Sequence, residues 1–319
     1  MAGLVKPCSI STKPKNTGVD CQAKMGPTAM LILVPSSATW TATDELTFLT
    51  YCQTKMHAAP PARWYPILGK NAPIGSIEEG KEADVLQTFD DGATAFVRSG
   101  MYARTFMTYK GGLAYGQALH SFNGLNDWAF IEVARSGSNV NVLRMVNADG
   151  TFSGVPLNLA YAPTPKLANL KEVYENSFYI NFSPDYYIGS GEIMTTSDDL
   201  LGSLTGLKDV EVADAGSSTT TKLRIYVRAK GTPVDLVTLY NGLAAVGNFI
   251  VTSAAGTVTT VASAAVVAAS GSTPAIIELT GTWTAGVWSV TGANASVWKA
   301  LTPTVAGYEV GNTLNITTA

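Results

Sequence analysis

The side chains that come nearest to a reacting centre are His57 and His120, the cysteines Cys8, Cys21 and Cys52, and three adjacent carboxylate pairs: Glu78-Glu79, Asp90-Asp91 and Asp198-Asp199. A thiol and an imidazole suit nucleophile–base chemistry. Cys52 and His57 stand five residues apart, however, nearly a turn and a half of helix, which is not the reach of such a pair. Both histidines sit among helix-forming residues and read as surface or partly packed side chains. Paired carboxylates suit general acid–base work, but neighbours on a strand point to opposite faces and do not converge on one bond. Each pair also lies beside glycine or in a polar stretch, so solvated turns are expected. Asp198-Asp199 could contribute to a cation site, yet no regular oxygen-ligand spacing surrounds it.

The cysteines are odd in number, and their spacing fits no common zinc pattern. They read as structural thiols of a reducing compartment. Gly-x-Ser-x-Gly, His-Glu-x-x-His and Gly-x-x-x-x-Gly-Lys-Ser/Thr are absent, and Gly189-Ser-Gly191 runs into Glu-Ile-Met without the third glycine of a dinucleotide fingerprint. Arg98-Ser-Gly-Met-Tyr-Ala-Arg104 interleaves basic and aromatic residues as a nucleic-acid strand would, with Arg98, Gly100, Tyr102 and Arg104 on one face. At a net charge of −3, a strand with a solvated face is the simpler expectation. No catalytic, cofactor-binding or metal-binding residue is assigned, no cofactor is expected, and the chain reads as not an enzyme.

The elements that would position these groups are mainly strands. Val85–Phe89 and Ala93–Val97 meet across Asp90-Asp91-Gly92, whose residues tolerate the positive φ of a tight hairpin turn. Val140–Val146 and Thr151–Leu159 repeat this across Asn147-Ala-Asp-Gly150, and Phe178–Phe182 forms a further strand closed by Ser183-Pro184. Thr41 caps a helix with carboxylates in its first turn, and Leu46, Leu49, Gln53 and Met56 mark its inner stripe. Gly112–Phe122 is a second helix, weakened by Gly116. Later strands are expected at Leu223–Arg228, Phe249–Thr252, Thr257–Ala262, Ala275–Thr280, Val287–Val290 and Thr313–Thr317, with helices at Val234–Val246 and Ala295–Leu301. Trp283, Trp288 and Trp298 are expected to fill the core there.

The first 200 residues hold 33 charged side chains and the remaining 119 hold 12. The small polar segment Ala213–Thr221 marks the change, so two domains are expected, residues 1–212 and residues 222–319, the second immunoglobulin-like or α+β. Charged residues are only 14% of a chain that is 46% hydrophobic, which argues against a disordered chain, and the net charge of −3 argues against one held to nucleic acid by its own field. Apolar runs such as Ala29–Val34 are too short to span a bilayer, and Pro7 interrupts the N-terminus before a signal sequence could form, so an intracellular origin and no stable membrane association are expected. A surface so short of charge loses little solvation when copies of the chain cover it, and burial in a symmetric homo-oligomer is the expectation.

The order Phe89–Gly100, Tyr102–Tyr109, Gly112–Phe122, Asn126–Val133, Ser177–Phe182 and Gly206–Val212 resembles virion structural proteins of tailed bacteriophages, in particular tail tube (major tail) proteins. The later part, with Asp235–Tyr240, Phe249–Thr252 and Gly307-Tyr-Glu309, is similar to accessory domains added to such proteins. That resemblance implies a β-sandwich or barrel with a flanking helix, stacked rings of identical subunits, hexameric in this family, and a neutral or acidic conduit for DNA delivery. It implies other virion tail or head proteins as partners, only transient and non-specific passage of DNA, and a place in the virion after assembly in the bacterial host cytoplasm. Residues Pro60–Glu82 are the candidate for the ring-to-ring loop. The competing readings are a capsid decoration or head–tail joining protein, and a carbohydrate- or cell-surface-binding module that would need Trp283, Trp288 or Trp298 exposed.

Overall fold

The computed structural model of the chain describes residues 4–8, 25–70, 72–124, 127–168, 173–183, 190–230, 234–271, 273–301 and 307–318. It is mainly β, as the turn and alternation pattern implies, and divides into two compact units. The first comprises Met1–Met56 and Pro60–Thr205, and the second His57–Ala59 and Gly206–Ala319.

In the first unit, strands β1 (Leu4–Cys8), β2 (Thr28–Pro35), β3 (Thr39–Trp40) and β4 (Tyr65–Ile67) join one sheet, whereas β5 (Ser76–Lys81) joins another. Among the described residues, strands β6 (Val85–Thr88) and β7 (Thr94–Arg98) pair only with each other, and β8 (Tyr102–Thr108) lies beside β5. Strands β9 (Trp128–Ser136), β10 (Asn139–Val146), β11 (Phe152–Ser153), β12 (Val155–Pro156) and β15 (Gly191–Thr196) complete the first sheet, in the order β1-β15-β10-β9-β2-β4 with the short strands branching from it. The smaller sheet runs β13 (Leu159–Tyr161), β14 (Asn176–Phe182), β8, β5.

The large sheet is buried on both faces, which explains why Ala29–Val34 reads as an unbroken apolar run rather than an alternation. Met30, Ile32 and Val34 of β2 face one cluster with Phe48, Cys52 and Trp64, while Leu31 and Leu33 face another with Phe106, Phe178 and Ile180 of the smaller sheet. Strand β14, in the outer layer, alternates buried and half-buried residues.

Thr41 caps helix α1 (Ala42–Glu45): its Oγ1 accepts from the Asp44 N–H at 3.4 Å, and Asp44 Oδ2 accepts from the Thr41 N–H at 2.8 Å. The expected single stripe from Leu46 is corrected. The helix breaks at Leu46-Thr47, and α2 (Phe48–Met56) restarts with Phe48, Cys52 and Met56 inward and Leu46 61% exposed. Helix α3 (Gly112–His120) forms where expected. A short turn, α4 (Leu200–Ser203), is capped by Asp199.

The second unit is a two-layered β structure sharing one core. Strands β16 (Lys208–Asp214) and β17 (Lys222–Ala229) pair across the loop 215–221, so Ala213 and Asp214 end a strand and the rest of the small polar segment is its turn. The division between units falls at Thr205/Gly206, within ten residues of the composition shift, and the small polar segment itself lies at a hairpin inside the second unit. Helix α5 (Leu236–Leu239) is one turn long, where a helix to Val246 was expected. A 3-10 turn at Asn241–Leu243 follows, as Tyr240, at φ −135° and ψ 76°, leaves the helical region and stops the helix. Strands β18 (Phe249–Ser253), β19 (Val258–Thr259), β22 (Gly286–Gly292) and β24 (Leu314–Thr318) form one sheet. Strands β20 (Ser263–Val267), β21 (Ile276–Thr280) and β23 (Tyr308–Val310) join β17 and β16 in the other, in the order β20-β21-β17-β16-β23. The strand expected at Thr257–Ala262 is thus only β19, and β20 was not foreseen. Helix α6 (Ala295–Lys299) is capped by Asn294.

Candidate functional site

The hairpin β6–β7 is a feature of the first unit that its own core leaves uncovered. Its turn is the expected one: Gly92 adopts φ +83°, its N–H donates to Phe89 O at 2.9 Å, and Asp91 Oδ1 accepts from the Ala93 N–H at 2.9 Å. Leu86 and Phe96 face each other across the ribbon and are 57% and 61% exposed, and Phe89 and Val97 are exposed beside them. A register shift between Val85 and Leu86 adds twist at the base.

That base is pinned. Asp84 Oδ1 accepts from the Gly100 N–H at 2.8 Å and lies 3.0 Å from Lys81 Nζ, and the Gly100 amide and then the lysine hold its carboxyl below the usual range. Glu82 N–H donates to Met101 O at 2.9 Å. A Cβ at Gly100 would lie 1.9 Å from Glu82 O, so only glycine allows the two chains to approach.

The residues singled out for chemistry are dispersed. His57 is buried, correcting the expectation of a surface or partly packed ring, and its Nε2 accepts from the Gly307 N–H at 3.1 Å. His120 ends α3 exposed, its Nδ1 3.1 Å from Ala162 O. Cys52 is buried and burial pushes its thiol well above the ordinary range, which keeps it protonated and unreactive. Cys21 lies outside the described residues, as do Pro184 and Gly189, and only the backbone of Cys8 is described. Glu78 and Glu79 lie in strand β5 rather than in the expected turn, opposite Thr105 and Arg104, and Glu79 pairs with Arg104 at 2.9 Å. Asp90 and Asp91 are turn residues, as expected. Asp198 and Asp199 are not simply solvated: Asp198 Oδ2 accepts from the Leu49 N–H at 3.3 Å, and Asp199 Oδ1 accepts from the Gly202 N–H at 2.9 Å.

The shared face of Arg98 and Arg104 is also corrected. The strand stops at Arg98, bends through Ser99–Met101, and resumes as β8; Arg104 is then held by Glu79 and Glu132, each at 2.9 Å. Trp283, Trp288 and Trp298 are 2%, 6% and 0% exposed, which removes the motive for a carbohydrate-reading face. Among the described residues, no group of three or more His, Cys, Asp or Glu side chains is placed to hold a metal ion, and no helix is long and apolar enough to cross a membrane.

Sequence reasoning missed the buried ions. Arg144 of β10 pairs with Glu45 of α1 and Glu192 of β15, and its guanidinium carbon lies 3.7 Å from the Phe152 ring centroid. Trp40 Nε1 donates to Glu45 at 3.1 Å. Both oxygens of Glu45 and Oε2 of Glu192 accept from Arg144, so the cluster positions α1 on the sheet. Its one local signal is a lone arginine within an apolar strand. An open cleft of about 530 Å³ lies between Pro27–Ala29, Gly69-Lys70 and Arg135, but its Lys70 ammonium is turned to Gly202 O at 3.2 Å.

No protein-family model matches the chain, and no curated protein matches it.

Proposed function

We propose that the chain is a self-assembling structural subunit of a virion, a phage tail tube protein whose copies form stacked rings around a conduit for DNA. The observation that carries this reading is the β6–β7 hairpin. An isolated two-stranded ribbon is marginal in water, and this one holds Leu86, Phe89, Phe96 and Val97 in solvent. Fully burying such a side chain contributes roughly 1.5–3 kcal/mol, so a neighbouring copy that covers the ribbon gains substantially. The pinned base presents the ribbon in one orientation, which lowers the ordering cost of docking. The order of turns and aromatics along the sequence supports the tail-tube assignment, and a net charge of −3 suits a lumen through which DNA passes without sticking.

Negative-stain microscopy of the purified chain tests this. Rings or hollow tubes wide enough for a duplex are expected, and a monomer at high concentration overturns the reading. Labelling of particles on the head rather than along the tail would select a capsid decoration or joining protein instead.

A further inference from the structure

A strand at the margin of a sheet offers unpaired N–H and C=O groups to any other strand, and folded proteins guard such margins with charge, proline, bulges or shortness. Most margins here are guarded in these ways. Strand β1 carries Lys6, Pro7 and a register shift; β4 is three residues with Pro66; β5 carries Glu78, Glu79 and Lys81. Strands β13 and β23 are three residues long and β19 is two, while β24 has β16 alongside it.

Strand β20 has none of these devices. Its five residues, Ser-Ala-Ala-Val-Val, pair with β21 in unbroken register on one side and, among the described residues, with no strand on the other. Val266 and Val267 are 38% and 44% exposed. No residue from Leu236 to Ile277 is charged. The nearest ion on the sheet, Glu278 opposite Ala265, is paired with Lys222 at 2.7 Å and Arg224 at 3.0 Å on the neighbouring strand β17.

We propose that β20 is a docking edge for β20 of a second copy of this chain, the two strands running antiparallel about Ala265. A charged peptide finds no counter-charge on the edge strand itself, whereas a copy brings an equally uncharged strand and sets no like charges directly opposite each other. The register is self-consistent. Ala264 and Val266 lie opposite the buried Leu279 and Ile277, so they take the core-facing side, and Ser263, Ala265 and Val267 take the other. Pairing 263 with 267, 264 with 266 and 265 with itself keeps both faces continuous, and two five-stranded sheets become one. The contact is isologous and closes at two copies, unlike open-ended strand aggregation. Five residues a side is a small interface, so the pairing is weak between free chains and strengthens where other contacts hold copies together. The proposal stands on the second unit alone and does not rest on the ring reading.

The test uses the full chain with Cys8 and Cys21 replaced by serine, carrying either Ala265→Cys or, as an exposed control, Ala255→Cys, treated with a short bis-maleimide. A cross-linked dimer is expected at least tenfold faster for Ala265→Cys, and Ala265→Lys, at an exposed position that leaves folding intact, abolishes the concentration-dependent dimer in sedimentation velocity. Equal cross-linking of the two positions, a ladder of higher species, or unchanged sedimentation of Ala265→Lys overturns the proposal. Rings that persist in Ala265→Lys would separate its loss from any failure of the hairpin reading.

Discussion

Arg144 on β10 lies directly opposite Glu192 on β15, and the two form an ion pair with side chains 1% and 7% exposed. Glu45 approaches from α1 to complete the cluster, so one cation serves two carboxylates inside the core. Burying charge is unfavourable unless every ion is paired and hydrogen-bonded, and here the arginine is the group on which both carboxylates depend.

Arg144→Met therefore leaves two buried carboxylates without a partner, and urea unfolding should show the first unit destabilised by about 3–5 kcal/mol. Adding Glu192→Leu and Glu45→Gln removes the orphaned charges while keeping an acceptor for Trp40 Nε1. That triple variant should recover most of the loss. If the single and triple variants were equally unstable, packing of the arginine stem rather than charge would be the cause.

Gly116→Ala decides between helix propensity and packing. In an open helix the change stabilises by about 1 kcal/mol. In α3 the new Cβ would lie 2.4 Å from both Asn176 Oδ1 and Pro165 Cγ. Asn176 cannot readily retreat, since its Nδ2 donates to Lys110 O and Gly112 O at 3.3 and 3.2 Å and its Oδ1 accepts from the Tyr174 hydroxyl at 3.0 Å. Destabilisation by about 1–3 kcal/mol is expected in thermal or urea unfolding.

The hairpin base should loosen in acid. The Gly100 amide and Lys81 lower the Asp84 carboxyl below its unfolded value, so the stabilising contribution is present above the unfolded pKa and is lost as pH falls through the folded one. Amide exchange at Gly100 should accelerate as pH drops below the usual carboxylate range of about 4, beyond the intrinsic pH effect on exchange. Asp84→Asn should show that faster exchange already at neutral pH. Equal protection in the two proteins at neutral pH would mean the carboxylate does not hold the base.

Features written within a few residues were legible in the sequence: the Asp90-Asp91-Gly92 turn, the Thr41 cap, helix α3 and the strand Phe178–Phe182. Each rests on local backbone preference, which neighbouring residues suffice to express. The inner face of α2 was not legible, because a two-residue break at Leu46-Thr47 shifts the phase of the stripe. Nor was the ion cluster, whose members Glu45, Arg144 and Glu192 are 99 and 48 residues apart and meet only through sheet register. The hairpin itself was foreseen, but its exposure was not, since Leu86 and Phe96 alternate as core residues do.

Cys52 supplies a test of burial in the first unit. It packs with Phe48 and Trp64 on the inner side of α2, and desolvation first, with the negative charge of Asp198 second, raises its thiol pKa. A protonated, enclosed sulfur should be inert to a thiol reagent at pH 8, where a free cysteine is partly thiolate. In a chain with Cys8→Ser and Cys21→Ser, Cys52 should be modified only at the rate at which the native unit opens, so the rate should become independent of reagent concentration at high reagent. Addition of urea below the unfolding midpoint should accelerate it in proportion to opening. Rapid modification that stays first order in reagent in native buffer would mean that the face of α2 against the sheet is open to solvent.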